Sequence, residues 1–138
     1  MATEGVHWDT ERVTLRVKGA TQRALNELAA QVETAAKINI QANGQIDTGA
    51  MLNSTYMVTP GASTYAQALT GAMVRRPDVT LGPEAQLPGG QLAAAVACGV
   101  EYAIYQEMQN SFLYRGLEQV ARQAGGVIER VGREEMHD

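Results

Sequence analysis

A long amphipathic stretch at residues 20–41, ATQRALNELAAQVETAAKINIQ, constrains the fold more than any other part of the sequence. Apolar side chains recur there at three- and four-residue spacing, and charged side chains lie on the opposite face. Thr21 is a suitable N-cap, and Asn43-Gly44 is a common stop signal. The pattern predicts a helix of about six turns, which must bury its apolar face against other elements.

Shorter patterns predict the elements around this helix. Strands are predicted at residues 12–19, 54–59 and 91–100, a single helical turn at 47–55, and helices at 101–109 and 112–135. The last helix has an apolar stripe formed by Leu113, Leu117, Val120, Ala124, Val127 and Val131. Its Gly125-Gly126 pair predicts a kink or an end. These elements favour an α+β fold, a small antiparallel sheet packed by one long N-terminal helix and one long C-terminal helix.

Residues 60–92 differ in composition from the rest of the chain. All four prolines and five of the glycines lie there. A loop of this length in a compact domain is usually functional or disordered. The stretch is predicted to be an extended loop or hairpin arm that projects from the single domain, residues 1–138. Candidate subunit-interface residues in this arm are Arg75, Arg76 and Asp78.

Composition excludes several functional classes. The net charge of −4 and the lack of a basic patch argue against sequence-reading nucleic-acid binding. Cys98 is the only cysteine, so no internal disulfide can form and a reducing compartment fits. The N-terminus does not resemble a signal peptide, and the longest apolar stretch is too short to span a membrane. The apolar residues are mostly small, which favours a domain that gains stability from partner subunits.

Catalytic and metal-binding motifs are sparse. His7 and His137 lie at opposite ends of the chain, and no Cys/His cluster has zinc-ligand spacing. The serines lack a Gly-x-Ser-x-Gly setting, and no glycine-rich loop has the lysine of a phosphate-binding motif. We therefore expect no metal and no cofactor.

The sequence Asp47-Thr48-Gly49 has two interpretations. It is the core of the retroviral-type aspartic protease signature, in which two chains each provide an aspartate and the two carboxylates share a proton. However, QANGQ precedes the motif here, with Ile46 as its only apolar neighbour, instead of a buried strand. In the second interpretation, Asp47 or Thr48 caps a helical turn and Gly49 relieves crowding. A homodimeric aspartic protease that uses Asp47 is the alternative function.

Three fragments together resemble the neck and tail-completion proteins of long-tailed bacteriophages. DTGAMLNST resembles the D-T-G-x-L-x-x-S element of that family, VEYAIYQEM its V-x-Y-A-x-Y-x-E-F-G element, and FLYRGLEQ its F-L-x-P-A-L element. Their order along the chain and the long helix before them also agree. Residues that match the family elements include Asp47, Thr48, Gly49, Ser54, Tyr102, Tyr105, Glu107, Phe112 and Leu113. Met51, Met108, Gln109, Arg115 and Gly116 depart from them.

The resemblance implies a structural virion protein without enzymatic activity. Such proteins form a homo-oligomeric ring of six or twelve copies in the virion neck, after assembly in the host cytoplasm. The ring joins the portal, adaptor or head-closure proteins to the tail terminator or tail tube, and genome DNA passes through it. Asp47, Thr48 and Gly49 would hold the turn after the first helix, and Tyr102, Tyr105 and Phe112 would lock the last two helices to the sheet.

Overall fold

The computed structural model describes residues 10–44, 49–75, 81–90, 92–100 and 102–136. These residues form six helices and three strands. The helices are α1 (Thr10–Ala42), α2 (Ala50–Asn53), α3 (Tyr65–Arg75), α4 (Ala103–Gln109), α5 (Leu113–Ala121) and α6 (Ala124–Met136). The strands are β1 (Thr55–Thr59), β2 (Ala62–Ser63) and β3 (Ala95–Cys98).

The three strands form one antiparallel sheet in the order β2-β1-β3. Tyr56 of β1 pairs with Ala97 of β3, and Val58 pairs with Ala95 on one side and Ser63 on the other. Helix α1 contacts β1, β3, α5 and α6, so it is the element on which the domain is assembled. The predicted α+β fold, a small antiparallel sheet with a long N-terminal helix and C-terminal helices, is confirmed.

The predicted strand at residues 12–19 is wrong, because these residues form the first part of α1. So short a period-two pattern does not outweigh extension of the adjoining helix, where each added residue gains a backbone hydrogen bond. The helix also has a partner here, since Arg16 donates to the backbone oxygen of Glu135 in α6 at 2.9 Å. Arg23 of α1 makes salt bridges with Glu134 and Glu135 of the same helix.

The prediction of an extended loop is wrong for Tyr65–Arg75, which form helix α3. This helix packs against α2 and β1. Its residue Ala72 is fully buried and Ala68 nearly so, because alanine at four-residue spacing permits a close approach of the helix to the body. Leu81 is also a core residue, and it forms an isolated antiparallel bridge with Val100.

The predicted C-terminal helix is divided in two. Helix α5 ends at Ala121, and α6 begins at Ala124, just before the Gly125-Gly126 pair. Val120, Val127 and Val131 of the predicted stripe are buried, whereas Leu117 is 51% exposed. The break lets the two helices follow different parts of α1, which contacts both.

The main core lies where the C-terminal half of α1 meets the sheet side of the domain. Phe112 is its largest fully buried side chain, and Ile40 of α1 is fully buried beside it. Alanines supply much of the rest. A smaller cluster joins α1 to α6 through Ala24, Val127 and Val131. The small side chains agree with the composition and bring the backbones of neighbouring elements close together.

Candidate functional site

The α4–α5 junction is organised by the carboxylate of Glu107. Its oxygens accept hydrogen bonds from the backbone N–H groups of Phe112 at 3.0 Å, Leu113 at 2.8 Å and Tyr114 at 3.1 Å, and from the Ser111 hydroxyl at 2.6 Å. These N–H groups belong to the first turn of α5, where no intrahelical acceptor is available. Glu107 on α4 therefore caps the next helix and sets the angle between the two.

The electrostatics of Glu107 follow from this arrangement. Partial burial acts to raise the pKa of its carboxyl group, because burial disfavours the charged form. The hydrogen bonds from Ser111 and from the three backbone N–H groups act in the opposite direction and prevail, so the pKa of Glu107 is lowered. The carboxylate is thus ionised at neutral pH and complements the positive end of α5.

Two asparagines of α1 hold the same junction from the other side. Asn39, which is buried, donates from Nδ2 to the backbone oxygen of Phe112 at 3.1 Å and to the Gln119 side chain at 3.0 Å. Asn43, one turn later, donates to the backbone oxygens of Asn110 and Ser111 at 3.3 and 3.2 Å. Phe112 is consequently held at its N–H group, its carbonyl group and its ring.

The predicted residues of this region therefore meet in one place. Glu107, Phe112 and Leu113 lie together at the junction, and Tyr102 packs against the main core. The backbone of Tyr105 lies in α4, but its side chain is outside the described part of the structure. No local pattern in residues 20–41 distinguishes Asn39, and its bonding role is visible only once the helices are packed.

Around Gly49, the structure describes the second half of the Asp-Thr-Gly-Ala element. The N-cap of α2 is Gly49, with φ of 84°, a conformation that favours glycine. The prediction that Asp47 or Thr48 is the N-cap of this turn is therefore wrong. Asn53 donates to the Gly49 carbonyl at 2.7 Å, and the buried Ser54 donates to the Met51 carbonyl at 3.1 Å. The helical turn and strand β1 are confirmed. Asp47 and Thr48 lie outside the described residues.

Two tyrosines that the sequence analysis did not single out hold residues 82–85 over the sheet. The Tyr65 hydroxyl donates to the Gly82 carbonyl at 2.8 Å, and the Ala85 N–H donates to the Tyr56 hydroxyl at 3.0 Å. Their rings meet edge to face with centroids 5.1 Å apart. Burial raises the pKa of Tyr56, and the bond from Ala85 acts against that shift. This part of the predicted arm is therefore attached to the body.

The candidate interface residues are only partly placed. The backbone of Arg75 ends α3, and its side chain is not described. Arg76 and Asp78 lie outside the described residues. Both residues follow the end of α3 along the chain.

An apolar groove of about 550 Å³ lies between α1, α5 and strand β3. Its lining includes Leu25, Leu28 and Val32 of α1, Val96 of β3, and Leu113 and Leu117 of α5. Glu107 also reaches the groove, but its carboxylate is bound to the start of α5. The surface is therefore suited to apolar contact and offers little for small polar ligands.

The described parts of the chain contain no group of three or more His, Cys, Asp or Glu side chains that could hold a metal ion. No helix in those parts combines the length and the apolar character needed to cross a membrane. Cys98 lies in β3 as predicted, with its Sγ atom 3.3 Å from the Ser54 hydroxyl oxygen and 3.4 Å from the Met51 carbonyl oxygen.

Comparison of the chain with known protein families, with curated proteins and with solved structures gave no match.

Proposed function

We propose that this protein is a structural component of the neck of a long-tailed bacteriophage. In this proposal, six or twelve copies form a ring that joins the DNA-filled head to the tail. The portal, adaptor or head-closure proteins lie on one side, and the tail terminator or tail tube lies on the other. The protein acts in the virion after assembly in the host cytoplasm, and it catalyses no reaction.

The ordered set of three sequence elements carries this proposal. In the described part of the structure, the second and third elements bind each other. Glu107, from the second element, binds the backbone of Phe112 and Leu113, from the third. Asn39 of the preceding long helix binds Phe112 from the other side. A rigid junction of this kind suits a protein whose function is to hold a fixed shape in an assembly.

The charge balance supports passage of DNA through the ring. The chain has 11 basic and 15 acidic residues. Tight binding of DNA depends on Lys and Arg contacts to phosphates. A ring built from such a chain would let the genome move without strong attachment.

Loss of the gene product is the most direct test. A phage with this gene stopped early is examined by electron microscopy of its lysate. DNA-filled heads lying apart from finished tails are the expected result. Intact infectious virions would overturn the proposal, and immature capsids would instead favour the aspartic protease.

The contribution of the candidate interface is tested by charge reversal. Deleting the whole of residues 60–92 is unsuitable, because it would remove the core residues Ala72 and Leu81. The double variant Arg75→Glu/Arg76→Glu is expected to reduce head–tail joining. A control with the same change in charge is Arg115→Glu/Arg122→Glu, since both residues are exposed on or next to α5. Equal joining by the two double variants would contradict a role for Arg75 and Arg76.

The aspartic protease alternative has its own test at Asp47. Asp47→Asn abolishes an enzyme that needs this carboxylate. In a neck protein the same change is expected to cost about 1 kcal/mol or less, because Gly49 and not Asp47 is the N-cap of α2, and infectious particles still form. Normal processing of capsid proteins by the Asp47→Asn phage would remove the enzymatic alternative.

A further inference from the structure

Strand β3 is an edge strand whose outer side has no neighbour among the described strands. The Gly99 N–H donates to the Ser54 carbonyl at 3.0 Å, on the β1 side. Alternate residues of an antiparallel strand turn their backbone groups to the same side. Ala97 and Ala95 therefore bond to β1, and Val96 and Cys98 direct their N–H and C=O groups outward.

The outer edge of β3 lacks the features that usually prevent pairing with another strand. Natural edge strands are commonly protected by charged side chains, by proline or by a bulge. No charged residue and no proline occurs between Leu92 and Val100. The strand is also held in place at its start, because the Gln22 side chain bonds both the N–H and the C=O of Ala93, at 3.2 and 2.8 Å.

The apolar groove continues from this edge. Val96 of β3 and Ala94, which precedes the strand, line the groove on this side, and Leu117 on its α5 wall is 51% exposed. A strand added along β3 would gain backbone hydrogen bonds and would also cover apolar side chains of α1 and α5. The edge and the groove therefore form one continuous surface. A strand that binds to it must be extended and uncharged.

We propose that β3 of a second copy of this chain occupies this surface, so that two copies pair antiparallel about a two-fold axis near Val96. In such an isologous contact each residue meets the same surface of its copy, and a charged strand would repel itself. The neutral run from Leu92 to Val100 carries no such penalty. Val96 of the two copies would exchange both backbone hydrogen bonds, and the two sheets would become one.

This proposal goes beyond the proposed function and does not depend on it. A two-fold contact differs from the head-to-tail contact that closes a ring. The free protein is expected to form a dimer whatever its biological role. If the protein does not dimerise, the proposed neck function is unaffected. If the neck function is wrong, the dimer proposal is unaffected.

The test is the mass of the purified full chain in solution, measured by analytical ultracentrifugation over a range of concentrations. The wild type is expected to be a dimer that dissociates on dilution. Val96→Pro removes an N–H group that has no acceptor within the described sheet, and proline is tolerated at such edge positions. Ala94→Lys sets a charge against the second copy. Both variants are expected to remain monomeric with unchanged far-ultraviolet circular dichroism.

Ile38→Lys is the matched control for Ala94→Lys. Ile38 is 56% exposed on α1 and does not line the apolar groove, so this variant is expected to stay dimeric. A wild type that is monomeric at every soluble concentration would overturn the proposal, and so would a dimer that survives both edge variants.

Hydrogen exchange of the wild type keeps the proposal testable even if the edge variants fail to fold. The Val96 amide is expected to exchange at least about tenfold more slowly in concentrated than in dilute solution, because pairing protects it. The Gln31 amide, inside α1, serves as the internal reference. Equal exchange of Val96 at both concentrations would overturn the pairing.

Discussion

Gly116 of α5 lies directly against the backbone of Ala36 in α1. A Cβ atom at Gly116 would be 3.1 Å from the Ala36 nitrogen and 3.4 Å from its Cα. Both helices are buried at this point, where Ala36 is 0% exposed. The close approach brings α1, α5 and the Phe112 junction together, so the spacing of these helices depends on the absence of one methyl group.

Gly116→Ala is accordingly expected to destabilise the protein by about 1 kcal/mol or more, because overpacking against a helix backbone outweighs the better helix propensity of alanine. Gly132→Ala is the control. Gly132 lies inside α6 with no atom within 4 Å of an added Cβ, so this variant is expected to gain up to about 1 kcal/mol. Urea unfolding of both variants measures the difference, and equal shifts of the midpoint in one direction would contradict the close contact.

Glu107→Gln is expected to lower the free energy of unfolding by about 1 kcal/mol at pH 7. The variant keeps one acceptor oxygen but loses the charge that strengthens the bonds to the first turn of α5. The effect is modest because the Glu107 side chain is only partly buried and water screens its charge.

The pH dependence of this effect follows from the direction of the pKa shift. The folded-state pKa of Glu107 is lowered. The stabilisation that its carboxylate provides is therefore fully present at pH values above the unfolded-state pKa of about 4.3. It is lost as the pH falls through the folded-state pKa. The stabilities of wild type and Glu107→Gln should therefore converge in acid. A difference that stays constant with pH would contradict the capping role of Glu107. The control variant Glu118→Gln, at an exposed position of α5, is expected to change stability at pH 7 by less than about 0.5 kcal/mol.

Asn39→Ala is expected to cost about 2 kcal/mol or more, because it leaves the Phe112 carbonyl without its side-chain donor and opens space in a buried region. Gln41→Ala, two residues later on the exposed side of α1, is expected to change stability by less than about 0.5 kcal/mol. Thermal unfolding followed by circular dichroism compares them. A small effect of Asn39→Ala would show that α1 does not hold the α4–α5 junction.

Cys98 is expected to react slowly with iodoacetamide in the folded protein. Burial raises the pKa of its thiol, although hydrogen bonds with Ser54 and Thr55 act against the shift. A raised pKa reduces the thiolate fraction at a given pH, and the thiolate is the reactive form. Since Cys98 is the only cysteine, the rate of modification also reports unfolding directly. Equal rates in buffer and in urea would contradict a protected thiol.

Local patterns in the sequence were sufficient for most of the elements. The three- and four-residue spacing in residues 20–41 predicted the greater part of α1, and the runs around Tyr56 and Val96 predicted β1 and β3. Such patterns succeed because helix and strand periods are set by the backbone itself. The period-two run at 12–19 failed because so short a pattern does not decide between the two periods.

The helix α3 was missed because the prolines and glycines around it suggested a loop and obscured the helical spacing of Ala68 and Ala72. Leu117 was predicted to lie in the apolar stripe of the last helix. Such a stripe shows which face is apolar but not how much of that face a partner covers. It lines the apolar groove instead.

The sequence by itself determined the α+β class, the order of most elements and the small side chains that let them pack closely. Only the tertiary structure decided that Glu107 caps α5, that Asn39 holds Phe112, and that Gly116 lies against Ala36. The physical reason is that these relationships join groups distant along the chain or on separate helices. Their distances depend on how α1, α4 and α5 pack, which no local pattern encodes.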